Sequence, residues 1–224
     1  DMAVIAERTN HVSGLARAKG GSGNPSPCTA RGVEAAMRAC CEHRLGSRDL
    51  SGRTVAIVGA GHVGSELAKR LTRAGARLTL ADINPAKREI AEGLGARWTD
   101  PSTALLAKVD IVAPCALGGA IDEVNVSRLR AQVVCGAANN QLAHDGLADD
   151  LHELGILYAP DYIVNAGGLI NISVEFDEGG YDAAEARRRV DGIEETVATI
   201  LAAGATPLAA ADRLARRNLE AARG

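Results

Sequence analysis

The sequence predicts a doubly wound α/β fold with a mostly parallel sheet and additional helices at both ends. From residue 53 onward, short apolar segments alternate with segments of helical periodicity, as in strands joined by crossover helices. Segment 54–58, TVAIV, is a continuous apolar run between two glycines, which is typical of a strand buried on both faces. Residues 182–222 contain no strand-like run, so we expect helices outside the sheet there.

The length and composition are those of one ordinary folded domain. The chain has 224 residues, of which 46% are hydrophobic and 24% charged. This length suffices for one substantial core but is short for two full domains. We therefore expect residues 1–224 to form one domain, with a core at about 52–165 and flanking helices at about 26–45 and 182–222.

Charge and composition argue against several classes of function. A net charge of −3 and 2% aromatic residues disfavour nucleic acid as a partner. No apolar run approaches the roughly 20 residues of a membrane span, and residues 1–10 carry charge instead of a signal-peptide core, so we expect a cytoplasmic protein. The five cysteines are odd in number and never spaced C-x-x-C, so we expect neither a disulfide framework nor a metal site.

The first part of the chain precedes the sheet. Residues 1–9 have helical character, and residues 11–26 are rich in Gly, Ser, Asn and Pro, which indicates an ordered loop or hinge. Ser26 followed by Pro27 predicts an N-cap and a first helical position. The helix then runs to residue 45, with one apolar face formed by Val33, Ala36, Met37 and Cys40.

The remaining elements follow in order. Apolar runs predict strands at 54–58, 77–81, 109–113, 132–135 and 155–159. Helical periodicity predicts helices at 63–74, 85–94 and 147–154, and two C-terminal helices at 182–203 and 207–222. Thr206-Pro207 begins the last of these in the same way as Ser26-Pro27 begins the earlier one.

Residues 59–64, GAGHVG, match G-x-G-x-x-G between a predicted strand and a predicted helix. Gly59 permits the tight turn, Gly61 lets the backbone approach a pyrophosphate, and Gly64 lets the helix pack closely on the strand. The helix N-terminus offers N–H groups and partial positive charge to phosphates. The motif predicts a Rossmann-type dinucleotide site that includes His62 and Val63, and we interpret His62 as an exposed residue near the pyrophosphate, not as an acid or base.

Asp82 ends the next predicted strand, about 20 residues on, where an acidic side chain accepts hydrogen bonds from the adenosine ribose. The alternative is that Asp82 caps the helix near Pro85. A carboxylate about 4 Å from a 2′-phosphate costs roughly 1–4 kcal/mol, so we predict NAD in preference to NADP. Lys87 and Arg88 are within reach of a phosphate, but we place them on a solvated helix face.

Five segments together resemble the Glu/Leu/Phe/Val dehydrogenase family, in particular its leucine, valine and phenylalanine dehydrogenases. They occur in the family's order and cover most of the chain: 22–27 (SGNPSP) with Thr29, the glycine motif, 113–119 (APCALGG), 136–140 (GAANN), and 158–162 (YAPDY) leading into 165–168 (NAGG).

The resemblance implies roles for several residues. Thr29 and Asn165 are expected at the nicotinamide end, with Asn165 binding the carboxamide and approaching the substrate. The alternative for Asn165 is a helix cap before Gly167. The other expected cofactor contacts are Cys115, Ala116 and Leu117 on the adenosine side, Ala138 and Asn139 near the nicotinamide ribose, and Ile83 beside Asp82.

The resemblance also implies an activity, the reversible NAD-dependent deamination of an apolar L-amino acid to its 2-oxo acid and ammonium. Alignment to the leucine dehydrogenase pattern places Val197 and Ile200 at the pocket for the substrate side chain. The alternative is that both are core residues, because they lie three apart on one helix face.

The family's catalytic lysines, near a Gly-Gly-x-Lys segment, and its aspartate lie upstream of the matched part. None of Lys19, Lys69, Lys87 and Lys108 has that context. We therefore expect no catalytic residue in this chain, a separate N-terminal catalytic domain as its partner, and no turnover by the chain alone. We expect the full-length enzyme to be a homo-oligomer.

Two rival functions remain open at this point. One is a non-catalytic NAD-binding module that senses or regulates, and the presence of Asn165 and the Gly-Gly turn disfavours it. The other is the cofactor domain of a glutamate-type dehydrogenase, whose cationic groups for the substrate carboxylate would lie mainly outside this chain.

Overall fold

The structure, a computed structural model, describes residues 2–9 and 12–223. Within them, six parallel strands form one sheet in the order β3-β2-β1-β4-β5-β6. The strands are β1 (Thr54–Val58), β2 (Arg77–Ala81), β3 (Arg97–Thr99), β4 (Ile111–Pro114), β5 (Val133–Val134) and β6 (Leu157–Tyr158). The strand order reverses direction between β1 and β4, so the predicted doubly wound fold is confirmed.

The sheet is covered on both faces because successive side chains of each strand point to opposite sides. Val55 and Ile57 of β1 belong to one hydrophobic cluster, which includes Met37. Ala56 and Val58 belong to a second cluster on the other face. This two-sided burial explains why β1 lacks the polar alternation of a strand with one solvated face.

Eleven α-helices accompany the sheet in the described residues. They are α1 (Met2–Ala6), α2 (Ser26–Leu45), α3 (His62–Arg73), α4 (Arg88–Gly93), α5 (Pro101–Leu105), α6 (Leu147–Glu153), α7 (Asp161–Val164), α8 (Gly167–Ser173), α9 (Ala183–Asp191), α10 (Ile193–Leu201) and α11 (Pro207–Ala221). The predicted apolar face of α2 is fully buried. None of the described helices is long and apolar enough to cross a membrane.

Two helix starts differ from the prediction. Ser26 is the first residue of α2 and not its N-cap, since Pro25 occupies the cap position and the Ser26 N–H donates to Asn24 Oδ1 at 3.0 Å. Thr206 does occupy the cap position of α11, but its side chain forms no capping hydrogen bond. In both cases the proline fixes the start of the helix through its backbone angle.

Two predicted helices are divided in the structure. The segment 85–94 begins as a 3₁₀ turn, Pro85–Lys87, and only then becomes α4. The segment 182–203 consists of α9 and α10, which meet at Gly192, and Asp182 caps α9 by accepting from Ala184 N–H. Glycine weakens a helix at this point because it offers no side chain to restrict the backbone.

Four short elements were not predicted, namely β3, α5, α7 and α8. Segment 97–99, RWT, is too short for alternation to be recognised, and β3 is an edge strand that pairs only with β2. Asp100 caps α5 through an Oδ1 that accepts from Thr103 N–H at 2.9 Å. Asp100-Pro101 therefore carries a helix-start signal that could have revealed α5.

The predicted loop before α2 is ordered by one carboxylate. Glu175 accepts hydrogen bonds from the backbone N–H groups of Gly14 and Ser22. Residues 10 and 11 lie outside the described part of the chain. Glu175 thereby joins the segment before α2 to the segment after α8.

Candidate functional site

The glycine motif, Asp82 and Cys115 meet at the carboxyl ends of β2, β1 and β4. Because these strands are parallel and neighbouring, the loops that follow them emerge at the same edge of the sheet. The reversal of strand order between β1 and β4 opens a crevice there, the position at which doubly wound folds bind ligands.

The glycines of the motif have three different structural environments. Gly59 has φ +109°, and a Cβ there would lie 2.8 Å from the Cβ of Ala116. A Cβ on Gly64 would lie 1.9 Å from the Gly59 carbonyl oxygen. A Cβ on Gly61 would meet nothing within 4 Å. Gly59 and Gly64 are thus required by the fold itself, whereas Gly61 keeps space open beside the turn.

The N-terminus of α3 points into this open space. Gly61 is its N-cap, and Ser65 N–H donates to the Gly61 carbonyl at 2.9 Å. The N–H groups of the first turn of a helix have no acceptor within the helix, and they carry partial positive charge. His62 and Val63 lie in this turn, and His62 is exposed as predicted.

Asp82 is tied to the glycine turn and not to the following helix. Its Oδ2 accepts from Ala60 N–H at 2.7 Å, and its Oδ1 accepts from Asn84 N–H at 2.8 Å. Asn84 caps the 3₁₀ turn through its own side chain. The alternative role of Asp82 as the cap of the helix near Pro85 is therefore not observed.

Two large apolar side chains beside the crevice are mostly exposed to solvent. Ile83 follows β2 and is 88% exposed, and Leu117 follows β4 and is 82% exposed. They lie in the loops that follow the two strands on either side of β1, at the same edge of the sheet as the glycine turn. This arrangement suits the adenine end of a dinucleotide.

Cys115 lies under this end of the crevice. Burial raises the pKa of its thiol from 9.0 to about 12, and a hydrogen bond from the backbone of Ala137 offsets this only in part. The thiol is therefore protonated at neutral pH and is not a nucleophile. Ala116, the next residue, contacts Gly59 closely enough to exclude a side chain there.

A cleft of about 720 Å³ continues from the glycine turn. Thr29, Val63, Asn139 and Asn165 line it, and they come from four separate segments of the chain. Ala138 is buried behind it, at 4% exposure. The structure thus brings together the residues that the resemblance assigns to the nicotinamide end.

The amide of Asn165 is held in one orientation. Its Nδ2 donates to Asn139 Oδ1 at 2.7 Å and to the Ala137 carbonyl at 3.3 Å. Ala166, not Asn165, is the N-cap of α8. The alternative role of Asn165 as the cap of that helix is not observed, and its Oδ1 is left available as an acceptor in the cleft.

The Gly-Gly pair after Asn165 allows α8 to cross α2 at close range. A Cβ on Gly167 would lie 2.2 Å from the Cys28 carbonyl oxygen, and a Cβ on Gly168 would lie 2.6 Å from Thr29 Oγ1. The crossing places Thr29 beside the segment that carries Asn165. Close packing of backbone, and not a turn, is thus the reason for these two glycines.

Asp161 organises the floor of the cleft, a role that the sequence analysis did not assign. It is 7% exposed, and its Oδ2 accepts from the backbone N–H of Gln141 at 3.0 Å. Gln141 is fully buried and donates from Nε2 to the Gly136 carbonyl. Asn140 has φ +50° in the same loop. The YAPDY segment was quoted for the resemblance, and its aspartate was the signal that could have found this role.

Val197 and Ile200 lie away from the cleft. They are 1% and 2% exposed, and Ile200 packs with Ala210 and Ala211 in a small hydrophobic cluster. These positions favour the alternative that both are core residues. His144 forms a 3.0 Å contact with Glu123, and His152 is exposed on α6.

The residues of the crevice fit a dinucleotide better than a metal ion. The open position at Gly61 and the first turn of α3 suit a pyrophosphate. Asp82 suits a ribose, and the cleft beyond Val63 has the size of a small-molecule site. Among the described residues, no group of three or more His, Cys, Asp or Glu side chains is arranged to hold a metal ion.

Comparison with protein families agrees with this geometry. Residues 79–206 match the family described as glutamate/leucine/phenylalanine/valine dehydrogenase. Residues 29–118 match the NAD binding domain of D-isomer specific 2-hydroxyacid dehydrogenases. The prediction that NAD is the cofactor is confirmed by these matches.

Individual relatives match over nearly the whole chain. Leucine dehydrogenase of Bacillus subtilis is 42% identical over 225 residues, which cover 98% of this chain and 61% of that protein. Valine dehydrogenase of Streptomyces coelicolor is 40% identical over 236 residues, which cover 100% of this chain and 63% of that protein. The chain therefore spans a little over three fifths of the length of these relatives.

A solved structure shows the same fold. The crystal structure of L-tryptophan dehydrogenase from Nostoc punctiforme matches with a TM-score of 0.84 and 38% identity, over 89% of this chain and 61% of the other. The family match covers more than half of the chain, and the strand order, the glycine turn and the relatives agree with it. This chain belongs to the glutamate/leucine/phenylalanine/valine dehydrogenase family.

Proposed function

We propose that this chain is the cofactor-binding part of an enzyme that converts an apolar L-amino acid to its 2-oxo acid and ammonium, with one hydride passing to NAD. The observation that carries the proposal is the cleft at the end of the glycine turn, where Thr29, Asn139 and Asn165 converge. A module that only held NAD would need the turn and Asp82, but not an ordered amide network beyond them.

The bound cofactor would accept the hydride, and the residues of this chain bind and orient it. The glycine turn and α3 hold the pyrophosphate, and Asp82 holds the adenosine ribose. Ile83 and Leu117 enclose the adenine, with Cys115 and Ala116 beneath it. Asn165, fixed by Asn139, presents its Oδ1 to the carboxamide N–H₂ group, and Thr29 and Ala138 shape the cleft around the nicotinamide and its ribose.

An apolar substrate is supported by the names of the relatives, which are leucine, valine and L-tryptophan dehydrogenases. The test is the activity of the full-length gene product on leucine, valine, phenylalanine and glutamate. We expect kcat/KM to be highest on an apolar amino acid. Highest activity on glutamate would establish the glutamate-type alternative, and no oxidation of any amino acid would support the regulatory one.

The substrate contact assigned to Val197 and Ile200 remains a prediction. In the described structure both side chains are buried in the core, so a contact would require α10 to border a pocket completed by another part of the protein. Ile200→Val in the full-length enzyme tests it. A core role predicts a lower Tm with an unchanged order of substrates, whereas a pocket role predicts a change in that order.

We further propose that residues 1–224 bind NAD but do not oxidise amino acids alone. A sheet edge without a covering domain leaves the nicotinamide in water, and positioned acids and bases commonly contribute about 10² to 10⁴ in rate. The test is to measure NAD reduction with leucine, valine or phenylalanine, using protein whose intact mass shows that it contains only residues 1–224. Turnover at ordinary dehydrogenase rates would contradict it, and His144 and His152 would then be the first residues to mutate.

The proposed partners are a catalytic domain that covers the cleft and further copies of the full-length chain in a homo-oligomer. Exposed Tyr162 and Leu169 border the cleft on the side where a covering domain would contact it. Light scattering of the full-length protein measures the assembly, and a monomeric mass would contradict the oligomer.

A further inference from the structure

A groove of about 850 Å³ lies along β2 and β3 beside α5, outside the cofactor crevice. It follows the amino ends of the strands, from Thr54 of β1 and Arg77 of β2 to Arg97 of β3. The carboxyl ends of the same strands bear the glycine turn and Asp82. Arg77 and Arg97 begin β2 and β3, so these cations lie at the end of the sheet away from the crevice, and the groove extends along β3 to Thr99, which pairs with Ala81.

The groove is strongly basic in a chain whose net charge is −3. Five exposed cationic side chains line it: Arg77, Arg97, Lys108, Arg128 and Arg130. In the part of the chain that the structure describes, none of the five forms an ion pair with a carboxylate. Like charges gathered without counterions repel one another, and an anion in the groove would relieve that repulsion.

Two acidic side chains beside the groove, Asp110 and Asp100, accept hydrogen bonds from neighbouring residues. Asp110 accepts from the N–H and the hydroxyl of Thr54, both at 2.8 Å, and from Gln132 Nε2 at 3.1 Å. Asp100 caps α5 by accepting from Thr103 N–H and Ser102 Oγ. Both carboxylates keep their charge, but neither forms an ion pair with a groove cation in the described residues, so five cations face two carboxylates.

Free hydroxyls accompany the cations. Thr79 is paired in register with Arg97, so the two side chains share one face of the sheet, and Thr99 lies two residues along β3 on that same face. Thr79 and Thr99 are half-buried, and within the described structure their hydroxyls have no hydrogen-bond partner. Hydroxyl donors beside guanidinium groups are the usual ligands of phosphate oxygens.

We propose that this groove binds a small polyanion that carries two or more phosphoryl groups. Its volume exceeds that of a single phosphate, and cations from β2, β3 and the loops before β4 and β5 surround it on several sides. A nucleic acid strand fits less well, because aromatic side chains for base stacking are 2% of the residues and none lines the groove.

Calorimetric titration with inorganic tripolyphosphate tests the proposal. Saturating NAD is present throughout, because the cofactor then occupies the other phosphate site. We expect binding to wild-type protein with one molecule per chain, and weaker binding of orthophosphate. Arg97→Ala with Arg130→Ala should raise the Kd at least about tenfold, since each charge-assisted contact contributes that order of affinity.

Arg213→Ala with Arg216→Ala is the matched control, because it removes the same charge from exposed positions on α11. We expect its Kd to stay within about twofold of wild type, as for exposed charges distant from a site. Thr79→Val removes only the free hydroxyl and should weaken binding without a loss of Tm. Three results would overturn the proposal. They are equal weakening of binding by both arginine pairs, no binding of tripolyphosphate to the NAD-saturated wild-type protein, and tighter binding of single-stranded RNA than of tripolyphosphate.

Discussion

The Asp82 carboxylate accepts a hydrogen bond from the backbone N–H of Ala60 at 2.7 Å, so the acidic end of β2 and the glycine turn after β1 form one unit. One consequence is mechanical, because the carboxylate fixes the turn. The other is electrostatic, because its charge lies at the edge of the crevice where we propose that the adenosine ribose binds. The two can be separated by mutation.

Asp82→Asn removes the charge but retains an oxygen that can accept from Ala60 N–H. We expect a smaller preference for NAD over NADP, since the repulsion of a 2′-phosphate, roughly 1–4 kcal/mol at about 4 Å, is lost. We also expect a lower Tm, since the single oxygen of Asn cannot accept from both Ala60 N–H and Asn84 N–H. Asp82→Ser should narrow the preference too, with some loss of Tm. Fluorescence titration of NADH and NADPH measures both, and tighter NADPH binding by the wild-type protein would contradict the assignment.

The glycines of the turn should differ in what they affect. Gly61→Ala places a methyl group in open space, so we expect an unchanged Tm but a Kd for NADH raised at least about tenfold, because the pyrophosphate approaches there. Gly64→Ala should lower the free energy of unfolding by about 1–3 kcal/mol or more, because its Cβ collides with backbone. Calorimetric Tm and NADH titration of both variants check this, and a Gly61→Ala protein with wild-type affinity would refute it.

Asn165→Ala should weaken NADH binding and leave ADP-ribose binding unaffected, because we propose that Asn165 contacts only the nicotinamide end of the cofactor. Its Nδ2 is bound to Asn139 Oδ1 at 2.7 Å. Asn165→Asp should be worse than Asn165→Ala, since it sets a carboxylate against that oxygen. The Kd values of NADH and ADP-ribose are measured for each variant. An equal loss of affinity for both ligands would indicate that Asn165 has a structural role instead.

The buried thiols should make the protein sensitive to alkaline pH. Burial raises the pKa of Cys41 from 9.0 to about 11, and that of Cys115 from 9.0 to about 12. Above about pH 9 the unfolded chain ionises these thiols while the folded chain does not, so the free energy of unfolding falls as pH rises toward 11. Below pH 9 neither thiol contributes to the pH dependence.

Denaturant titrations from pH 8 to 11 measure this slope. Cys41→Ala combined with Cys115→Ala should make the slope shallower, because two of the groups that ionise on unfolding are gone. Part of the slope should remain, since a hydrogen bond with Cys40 and burial raise the pKa of Cys135, and burial raises the pKa of Tyr158. Cys115 should also resist iodoacetamide at pH 8 in the folded protein, as mass spectrometry of the alkylated peptides would show. An unchanged slope in the double variant would show that other groups are responsible.

The sequence by itself determined the features that depend on local pattern. The bounds of β1 and β2 were predicted to the residue. In β1 the reason is a continuous apolar run between turns, and β2 is a short apolar segment that Arg77 and Thr79 interrupt on one face. The glycine turn was also predicted, since its spacing occurs between a strand and a helix and is followed about 20 residues later by Asp82 at the end of the next strand. Edge strand β3 was missed, because three residues cannot show a period.

Only the tertiary structure decided which distant residues meet. Thr29, Asn139 and Asn165 share one cleft because α8 crosses α2 on two glycines and because parallel strands end at one edge. Asp161 acquires its role only when its carboxylate reaches Gln141 N–H. The basic groove is likewise assembled by the pairing of β1, β2 and β3, which brings Arg77 and Arg97 to the same groove as Lys108 and Arg130. Local pattern specifies each strand, but contacts between the ends of different strands exist only after the strands are paired, and no sequence period encodes them.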